Sequence, residues 1–303
     1  MSNKDKIPTK VLQGFVELLP ADQIEFERIK TVIEETYEQF GFIPLDTPAI
    51  ERIEVLLAST GGETEKQIYR FTKVENEIAL RFDLTVPLAR YVSEHYNDLV
   101  FPFRRYHIAK VYRGESAQKG RFREFYQCDI DIIGDETLSI INDAEIPSII
   151  YTIFKKLDFG KFLIKINNRK LINGILESAG AEKSSREILR IVDKIEKIGK
   201  DEVEKMLLEA GISKEVIEKL LQFLDIKGGT KKVLESLENL KINSEIFQTG
   251  ISELSLVAQY LNKLNVPESF YQIDLSIARG LDYYTGTVYE TVLTNHPEIG
   301  SIC

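Results

Sequence analysis

Hydrophobic and polar positions alternate along two segments near the middle of the chain. In residues 106–111, and again in residues 125–130, successive side chains would point to opposite faces of an extended strand. Residues 114–120 between them are polar and bounded by glycines, which is typical of a hairpin loop. The pattern predicts an antiparallel hairpin.

A helical pattern precedes this hairpin. Apolar side chains recur at helical spacing from residue 29 to residue 40, and Gly41 is a typical C-terminal stop. Asp22 and Glu25 have the spacing of a capping box, which predicts that the helix starts there.

The segments on either side of residue 60 favour strands. Residues 42–50 have an extended pattern, which Pro44 and Pro48 restrict to an edge or interface position because proline lacks an amide hydrogen. Residues 61–71 are predicted to be a loop leading into a strand. A strand over 77–82 and a helix over 86–95 follow.

The second half of the chain alternates between helices and strands. Apolar spacing predicts helices over 135–154 and 251–264, and strands over 161–167, 271–277 and 287–293.

The composition changes from about residue 178, where Glu, Lys, Ile and Leu dominate and aromatic residues nearly vanish. We therefore predict three parts: a core over 1–169, a small helical domain over 170–248 inserted into it, and a return to the core over 249–303. The fold class is predicted to be α+β. A mere helical appendage with solvated lysines is the alternative for the inserted part.

Length and charge limit the function classes. The chain has 303 residues, 43% of them hydrophobic, which suffices for a large core and a smaller domain. No apolar run approaches the roughly 20 residues of a membrane span, and the polar N-terminus lacks a signal sequence, so we expect a cytoplasmic protein without a membrane partner. The net charge of −9 means that any nucleic acid would need a local basic face.

Cysteine and histidine are too few and too scattered to predict a disulfide framework or a metal site. We expect Cys128 to be a small strand residue. His107 is expected to be packed or hydrogen-bonded.

The base of the predicted hairpin carries residues suited to a nucleotide. Arg113, Arg121 and Arg123 place guanidinium groups where they could hold a polyphosphate. Glu115 could accept a hydrogen bond from an exocyclic amine, and Phe125 could stack on a purine. The set predicts an ATP site, with a surface hairpin of solvated charges as the alternative.

Polar acceptors follow one strand face. Gln127, Asp129 and Asp131 alternate beyond the loop, which is unusual in a strand unless they bind something. Asp83 ends another predicted strand, where substrates commonly bind, and Thr85 could cap the helix that follows.

A second distinctive segment, RGLDYYTGTVYE, covers residues 279–290. Glycines on both sides of Tyr283 and Tyr284 indicate a turn that presents aromatic rings. Beside Arg279, these rings could enclose an imidazole, although paired tyrosines are more often core residues.

These segments resemble a known family. Residues 103–134 resemble motif 2 of the class II aminoacyl-tRNA synthetases and match the histidyl-tRNA synthetase family closely, while residues 279–290 resemble its histidine-recognition signature. The helix and strand that end near Pro48 resemble motif 1, the dimer interface of that family. The resemblance runs from about Val11 to the last residue. It implies a class II catalytic core, an antiparallel sheet flanked by helices, that forms a homodimer.

The resemblance implies ATP-dependent activation of L-histidine to histidyl-adenylate and its transfer to tRNA(His), with Mg²⁺ accompanying ATP. The helical insertion would reach the acceptor arm of the tRNA. The resemblance implies that Arg113 and Arg279 are catalytic cations at the α-phosphate and also contact histidine. The rest of ATP would be bound by Glu115, Arg121 and Phe125. The ammonium end of histidine would be bound by Asp83, Thr85, Gln127 and Asp131, and its ring by Tyr283 and Tyr284.

The sequence also departs from the family pattern. It ends at Cys303, before the glycine-rich segment, motif 3 and the anticodon-binding domain of the family. We therefore expect a truncated member that shows weak or no aminoacylation on its own. We also expect an unpaired sheet edge near Val288. A fragment completed by a second chain is one alternative. Another is the regulatory, histidine-sensing subunit of ATP phosphoribosyltransferase, but a pure sensor would not need the complete catalytic set.

Overall fold

The computed structural model describes residues 9–58, 63–116, 120–277 and 284–303. The chain divides into two compact units, Met1–Leu138 and Ser139–Cys303. The elements of the first unit are α1 (Pro20–Gln39), β1 (Ile43–Pro44), β2 (Ile50–Arg52), α2 (Ile53–Leu57), α3 (Glu63–Gln67), β3 (Arg70–Lys73), β4 (Asn76–Leu80), α4 (Thr85–Glu94), β5 (Phe103–Tyr112) and β6 (Glu124–Ile133).

Two three-stranded sheets form the framework of the first unit. One has the order β1-β5-β6, in which β1 runs parallel to β5 and the long β5 and β6 are antiparallel. The other has the order β2-β4-β3 and is antiparallel throughout. The predicted hairpin is confirmed.

The start of α1 differs from the prediction. Leu19 occupies the N-cap position without a side-chain hydrogen bond, and Pro20 opens the first turn. Proline suits that place because the first amides of a helix lack intrahelical acceptors anyway. The predicted capping box at Asp22 is therefore wrong. The predicted stop is confirmed, since the helix ends before Gly41, whose φ is +78°.

The single strand predicted over residues 42–50 is also wrong. It divides into β1 and β2, which belong to different sheets. Two prolines in nine residues cannot supply the amides that a continuous ladder needs. The edge position is confirmed for β1. The loop predicted over 61–71 contains a short helix, α3.

The second unit combines one sheet with many helices. Its elements are α5 (Ile141–Lys156), β7 (Phe162–Asn168), α6 (Arg169–Ser178), α7 (Ser185–Val192), α8 (Ile195–Ile198), α9 (Lys200–Glu209), α10 (Lys214–Leu224), α11 (Thr230–Asn239), α12 (Glu245–Lys263), β8 (Tyr271–Ile273) and β9 (Thr287–Leu293).

The sheet of this unit has the order β8-β7-β9, with β7 parallel to β8 and antiparallel to β9. Buried aliphatic residues of β7 and α6, among them Ile164 and Ile175, belong to its core. The strand β9 lies at the predicted sheet edge, although Thr291 exchanges backbone hydrogen bonds with Ile302 and Cys303.

Several helix and strand boundaries in this unit differ from the predicted ones. The helix predicted from residue 135 begins at Ile141, after a turn in which Glu136 has a positive φ. The helix predicted from residue 251 begins at Glu245, where Ser244 caps it by accepting from the Phe247 amide. The strand predicted over 271–277 ends at Ile273.

The segment predicted to be helical does consist of helices, α6 to α11 and their connections. The division of the chain into a core and an inserted domain stays a prediction. In the described part of the chain, no helix has both the length and the apolar character needed to cross a bilayer.

Candidate active site

The hairpin of β5 and β6 fixes the register of the candidate site. Arg105 lies opposite Asp131, and Ala109 lies opposite Gln127. The Arg113 amide donates to the Arg123 carbonyl at 2.9 Å and extends the pairing to the loop. Alternation within β6 then places Gln127, Asp129 and Asp131 on one face.

Arg113 contacts two aromatic rings. Its guanidinium carbon lies 4.5 Å from the Phe82 ring centroid and 5.1 Å from that of Phe125, and Nε donates to the Phe82 carbonyl at 3.2 Å. These two cation–π contacts and the hydrogen bond restrict the orientation of the guanidinium. The arrangement presents an oriented cation suited to a phosphate or carboxylate.

Glu115 and Arg121 face each other across the loop, with Oε2 and Nη1 3.8 Å apart. Arg121 is the more exposed of the two. At this distance and exposure the pair is weak, so Arg121 can exchange its partner for a more highly charged anion at little cost.

Arg123 does not join the predicted phosphate-binding cations. Its guanidinium donates to the carbonyls of Glu115 and Gln13 at 3.1 and 3.3 Å, and its amide donates to the Gly14 carbonyl. A Cβ on Gly14, where φ is +87°, would meet Arg123 Cγ at 2.8 Å. Arg123 therefore tethers the N-terminal segment to the hairpin.

Carboxylates gather around one buried cation on the inner part of the hairpin. Arg105 is fully buried, and its Nη2 lies 2.5 Å from Asp131 Oδ2 and donates to the Leu84 carbonyl at 3.3 Å. Asp83 and Asp129 belong to the same group, because their charges interact with those of Asp131 and Arg105.

Burial raises the pKa of all three carboxyls. It raises the pKa of Asp129 to about 7, the negative charge of Asp131 adds to the shift, and the positive charge of Arg105 opposes it. For Asp131, burial likewise outweighs the lowering of the pKa by Arg105. A cationic ligand would relieve this accumulation of like charge.

Asp83 also caps α4. Its Oδ1 accepts from the Val86 amide at 2.9 Å, while Leu84 occupies the N-cap position without a side-chain bond. The predicted capping by Thr85 is wrong, because Thr85 is the first residue of α4 and the Asp83 carboxylate accepts the hydrogen bond from the Val86 amide. Burial raises the pKa of Asp83, and the Val86 amide and the charge of Arg113 oppose the shift.

Several buried polar atoms in this region lack a hydrogen-bond partner among the described residues. They include Gln127 Oε1 and the Nε and Nη1 atoms of Arg105. Buried polar atoms are nearly always satisfied in folded proteins, so an acceptor like Gln127 Oε1 marks a place for a donor from a ligand. Asp129 belongs to the predicted row of polar acceptors, whereas Arg105 is missing from the predicted site residues, although the hairpin register places it opposite Asp131.

The histidine at position 107 behaves as predicted. It is buried, and its Nε2 lies 2.8 Å from Asp46 Oδ1. Burial lowers the pKa of His107. Across the described ranges, no three His, Cys, Asp or Glu side chains are grouped to hold a metal ion.

The predicted aromatic segment is described only in part. Tyr284 is 45% exposed in the second unit, whereas Arg279 and Tyr283 lie outside the described residues.

Comparison with known proteins gives consistent matches. A family model described as histidyl-tRNA synthetase matches residues 14–299. A histidine–tRNA ligase of Clostridium tetani is 61% identical over 300 residues, which cover 99% of this chain and 68% of the relative. A histidine–tRNA ligase of Stenotrophomonas maltophilia is 50% identical, with 96% and 67% covered.

Solved structures agree with these matches. The crystal structure of histidyl-tRNA synthetase from Nostoc sp. PCC 7120 has a TM-score of 0.89 and 42% identity, covering 98% of this chain and 68% of that one. A second crystal structure is that of an ATP phosphoribosyltransferase regulatory subunit/histidyl-tRNA synthetase from Bacillus halodurans. It has a TM-score of 0.82 and 22% identity, covering 95% of this chain and 74% of that one. At this identity the match shows a similar fold only.

Proposed function

The chain belongs to the histidyl-tRNA synthetase family, and we propose how its residues perform the reaction of a histidine–tRNA ligase. The α+β catalytic fold of the class II synthetases and the ligase activity follow from this membership. The substrates are L-histidine, ATP and tRNA(His). The assignments to single residues are proposals supported by the geometry of the hairpin.

The first step joins the histidine carboxylate to ATP. A carboxylate oxygen attacks the α-phosphorus, a phosphorus–oxygen bond forms, the bond to the leaving oxygen breaks, and pyrophosphate departs. The carboxylate is already ionised at neutral pH, so catalysis consists of positioning and charge stabilisation. In the second step, a hydroxyl at the 3′ end of tRNA attacks the carbonyl carbon of the adenylate, and AMP leaves.

Arg113 is the proposed catalytic cation. Its guanidinium is oriented by Phe82 and Phe125 before substrate arrives. A preorganised cation stabilises the charge that develops on the α-phosphate without reorganising during the reaction.

The rest of ATP is assigned to the loop base. Glu115 would accept from the adenine amine, Phe125 would stack beside the base, and Arg121 would bind the terminal phosphate. Mg²⁺ arrives with ATP as part of the substrate, since this ion prefers phosphate oxygens and water to an all-protein site. The weak ion pair of Arg121 supports its role as a cation available to phosphate.

The ammonium group of histidine is assigned to Asp83, Asp131 and Gln127, with Thr85 beside them. The observation that carries this assignment is the buried Gln127 Oε1, which lacks a described partner and shares a strand face with carboxylates of raised pKa. An ammonium supplies both the missing donor and the missing positive charge.

The remaining roles follow from the family resemblance. Arg279 is assigned to the α-phosphate and histidine, and Tyr283 and Tyr284 to the imidazole ring. The exposure of Tyr284 supports a ligand-facing role for that residue. Assembly as a homodimer through the motif 1 segment and action in the cytoplasm, where its tRNA is used, belong to the same proposal.

The regulatory alternative is not proposed. Its support is a fold likeness at 22% identity, whereas the relatives at 61% and 50% identity are histidine–tRNA ligases. A histidine sensor would also have no use for Glu115, Arg121 and Phe125.

Histidine-dependent ATP–pyrophosphate exchange tests the proposal. We expect Arg113→Ala to lower the exchange rate by on the order of 10²- to 10³-fold, as for loss of one transition-state donor. Gln127→Met should mainly raise the KM for histidine. Arg279→Ala tests the role taken from the resemblance.

Arg70→Ala is the matched control, because Arg70 is an exposed arginine of the same unit that pairs with Glu65. Its exchange rate should stay close to that of the unaltered protein. Exchange that persists in Arg113→Ala would overturn the catalytic assignment. Saturable histidine binding without any exchange would instead favour a fragment completed by a second chain, or a sensor, over an autonomous enzyme.

A further inference from the structure

One buried guanidinium joins two segments of the first unit. Arg105 on β5 is fully buried, and its Nη2 lies 2.5 Å from Asp131 Oδ2 on β6. The same nitrogen donates to the Leu84 carbonyl at 3.3 Å. Leu84 occupies the N-cap position of α4. A single side chain therefore links β6 to the start of α4.

The two segments that Arg105 links carry the residues assigned to the ammonium group of histidine. Asp83 and Thr85 stand directly before and after the residue whose carbonyl Arg105 contacts. Asp131 is itself the partner on β6, and Gln127 shares its strand face. The groups that would surround one atom of the ligand are thus attached to a common cation.

Arg105 lies behind Asp131 and not beside it. The side chain of Arg105 is 0% exposed, whereas that of Asp131 is 26% exposed. A carboxylate can accept several hydrogen bonds, so Asp131 can take a donor from a ligand while it stays paired with Arg105. Arg105 itself offers no accessible surface to a substrate.

Stability does not explain why an arginine occupies this place. Its Nε and Nη1 are buried and lack a hydrogen-bond partner among the described residues. Burying an ion pair costs desolvation energy, and an apolar replacement of similar volume is often at least as stable. A buried guanidinium that is only partly satisfied therefore points to a use of its charge at the adjoining site.

The charge of Arg105 acts on the carboxyl that it contacts. The ionisable groups that surround the pair are Asp129 and Asp131 on β6, His107 on β5, Tyr37 on α1, Asp83 before α4 and Arg113 after β5. Burial raises the pKa of Asp131, and the charge and hydrogen bond of Arg105 oppose that rise. Without the cation the carboxyl would hold its proton to a higher pH, and a protonated carboxyl no longer attracts an ammonium group.

We propose that Arg105 is a positioning residue for histidine recognition, because it holds Asp131 and the start of α4 in place around the ammonium group of the substrate. The inference rests on the proposed function, which assigns that group to Asp83, Gln127 and Asp131. Segments that are held before the ligand arrives lose less conformational freedom on binding. Arg105 is assigned no contact with substrate.

The test compares Michaelis constants in histidine-dependent pyrophosphate exchange. Arg105→Met is combined with Asp129→Asn, because removing a neighbouring carboxylate together with the cation limits the cost of unpaired charge. Relative to Asp129→Asn alone, this double variant should raise the KM for histidine by on the order of ten-fold, the effect of losing a charge-assisted hydrogen bond, and leave the KM for ATP within about two-fold. Where exchange is too slow to measure, dissociation constants take the place of Michaelis constants.

The pH profile distinguishes positioning from a merely structural role. The ratio of the KM for histidine in the double variant to that in Asp129→Asn cancels the titration of histidine itself. This ratio should rise as the pH is lowered from about 8.5 to about 6.5, because Asp131 without its cation is protonated at a higher pH. A ratio that does not depend on pH, or equal effects on the KM for histidine and for ATP, would overturn the proposal.

Two further variants complete the comparison. Arg105→Lys keeps the positive charge and should recover most of the affinity for histidine, so an increase in KM as large as that of the double variant would contradict the proposal. Arg104→Met is the matched control, because Arg104 is the neighbouring arginine of β5 and contacts the Phe40 carbonyl and the Phe42 ring. It should leave both Michaelis constants within about two-fold.

Carbon-13 NMR of labelled aspartate separates this inference from the proposed function. The Asp131 signal is assigned by its absence in Asp131→Asn. We expect its carboxyl to titrate at a higher pH in the double variant than in Asp129→Asn, even if the unaltered protein shows neither exchange nor histidine binding. That absence would end the proposed function. An unchanged titration of Asp131 would overturn the positioning role itself, whatever the activity.

Discussion

Arg105 is the residue on which the electrostatics of the hairpin depend. It is fully buried among carboxylates, directly opposite Asp131. A guanidinium cannot neutralise itself by losing a proton at accessible pH, so the cation stays charged and its partners must stay nearby.

Replacing Arg105 with methionine should destabilise the protein by on the order of 3–5 kcal/mol at pH 8, because it leaves Asp131 buried without its partner. The loss should be smaller at pH 5, where the carboxyls, whose pKa values are already raised, take up protons. Urea unfolding at the two pH values measures the difference.

Arg104→Met is the control for this experiment. Arg104 donates to the Phe40 carbonyl and contacts the Phe42 ring, outside the carboxylate group. Its effect should be about 1 kcal/mol and similar at both pH values. A cost for Arg105→Met that does not depend on pH would contradict the electrostatic explanation.

The carboxyl of Asp129 makes stability depend on pH. Burial raises its pKa to about 7, so the folded state keeps a proton that the unfolded chain has released by about pH 4. Folding is therefore favoured below the unfolded pKa, and this contribution is lost as the pH rises through the folded pKa. From this group alone we expect the free energy of unfolding to fall by about 2 kcal/mol between pH 5.5 and pH 8.

Asp129→Asn should remove most of that slope, since asparagine does not titrate. Denaturant unfolding of both proteins at the two pH values decides the matter. The same slope in the variant would place the titrating group elsewhere.

Among the elements, α6 and α12 pack too closely to accept a side chain at Gly174 without a shift. A Cβ on Gly174 of α6 would lie 2.6 Å from the backbone nitrogen of Phe247 on α12. Backbone cannot withdraw as the end of a flexible side chain can, so the glycine sets how closely the two helices approach.

Gly174→Ala should therefore lower the free energy of unfolding by about 1–3 kcal/mol, although alanine is by itself the better helix former. Thermal or urea unfolding measures the change. Gly229→Ala is the control, because its Cβ would meet nothing within 4 Å and its effect should stay below about 1 kcal/mol. A stabilised Gly174→Ala protein would show that the helices can separate.

The elements also show what the sequence could predict. The hairpin follows from strict alternation over long strands, and Arg113, Glu115 and Phe125 follow from chemistry local to it. The split between β1 and β2 could not be predicted, because periodicity does not say which sheet a short segment joins. The buried Asn167 side chain donates to the carbonyls of Leu275 and Ile277, more than 100 residues away, and no local pattern carries that information.

At the scale of the whole molecule, an exposed apolar side chain on α1 supports the proposed dimer. Ile24 is 72% exposed on this helix. We expect Ile24→Glu to shift the protein towards a monomer, because a buried, unpaired carboxylate is costly in an apolar interface. Light scattering over a range of concentrations measures the mass.

Val100→Glu provides the comparison, since Val100 is 83% exposed outside the motif 1 segment. Its mass should equal that of the unaltered protein. A dimer that survives Ile24→Glu with unchanged affinity would place the interface elsewhere.

The position of Arg169 has a consequence for how ligands communicate. Its guanidinium donates to the Tyr284 carbonyl, and it is also the first residue of α6, the helix that opens the segment assigned by resemblance to the tRNA acceptor arm. If Tyr284 binds histidine as proposed, a macromolecule that shifts α6 would alter the free energy of histidine binding, and thermodynamic linkage would require histidine to alter the affinity for that macromolecule by the same factor. Under the proposed function, the amino acid and the RNA would then be heterotropic effectors of each other.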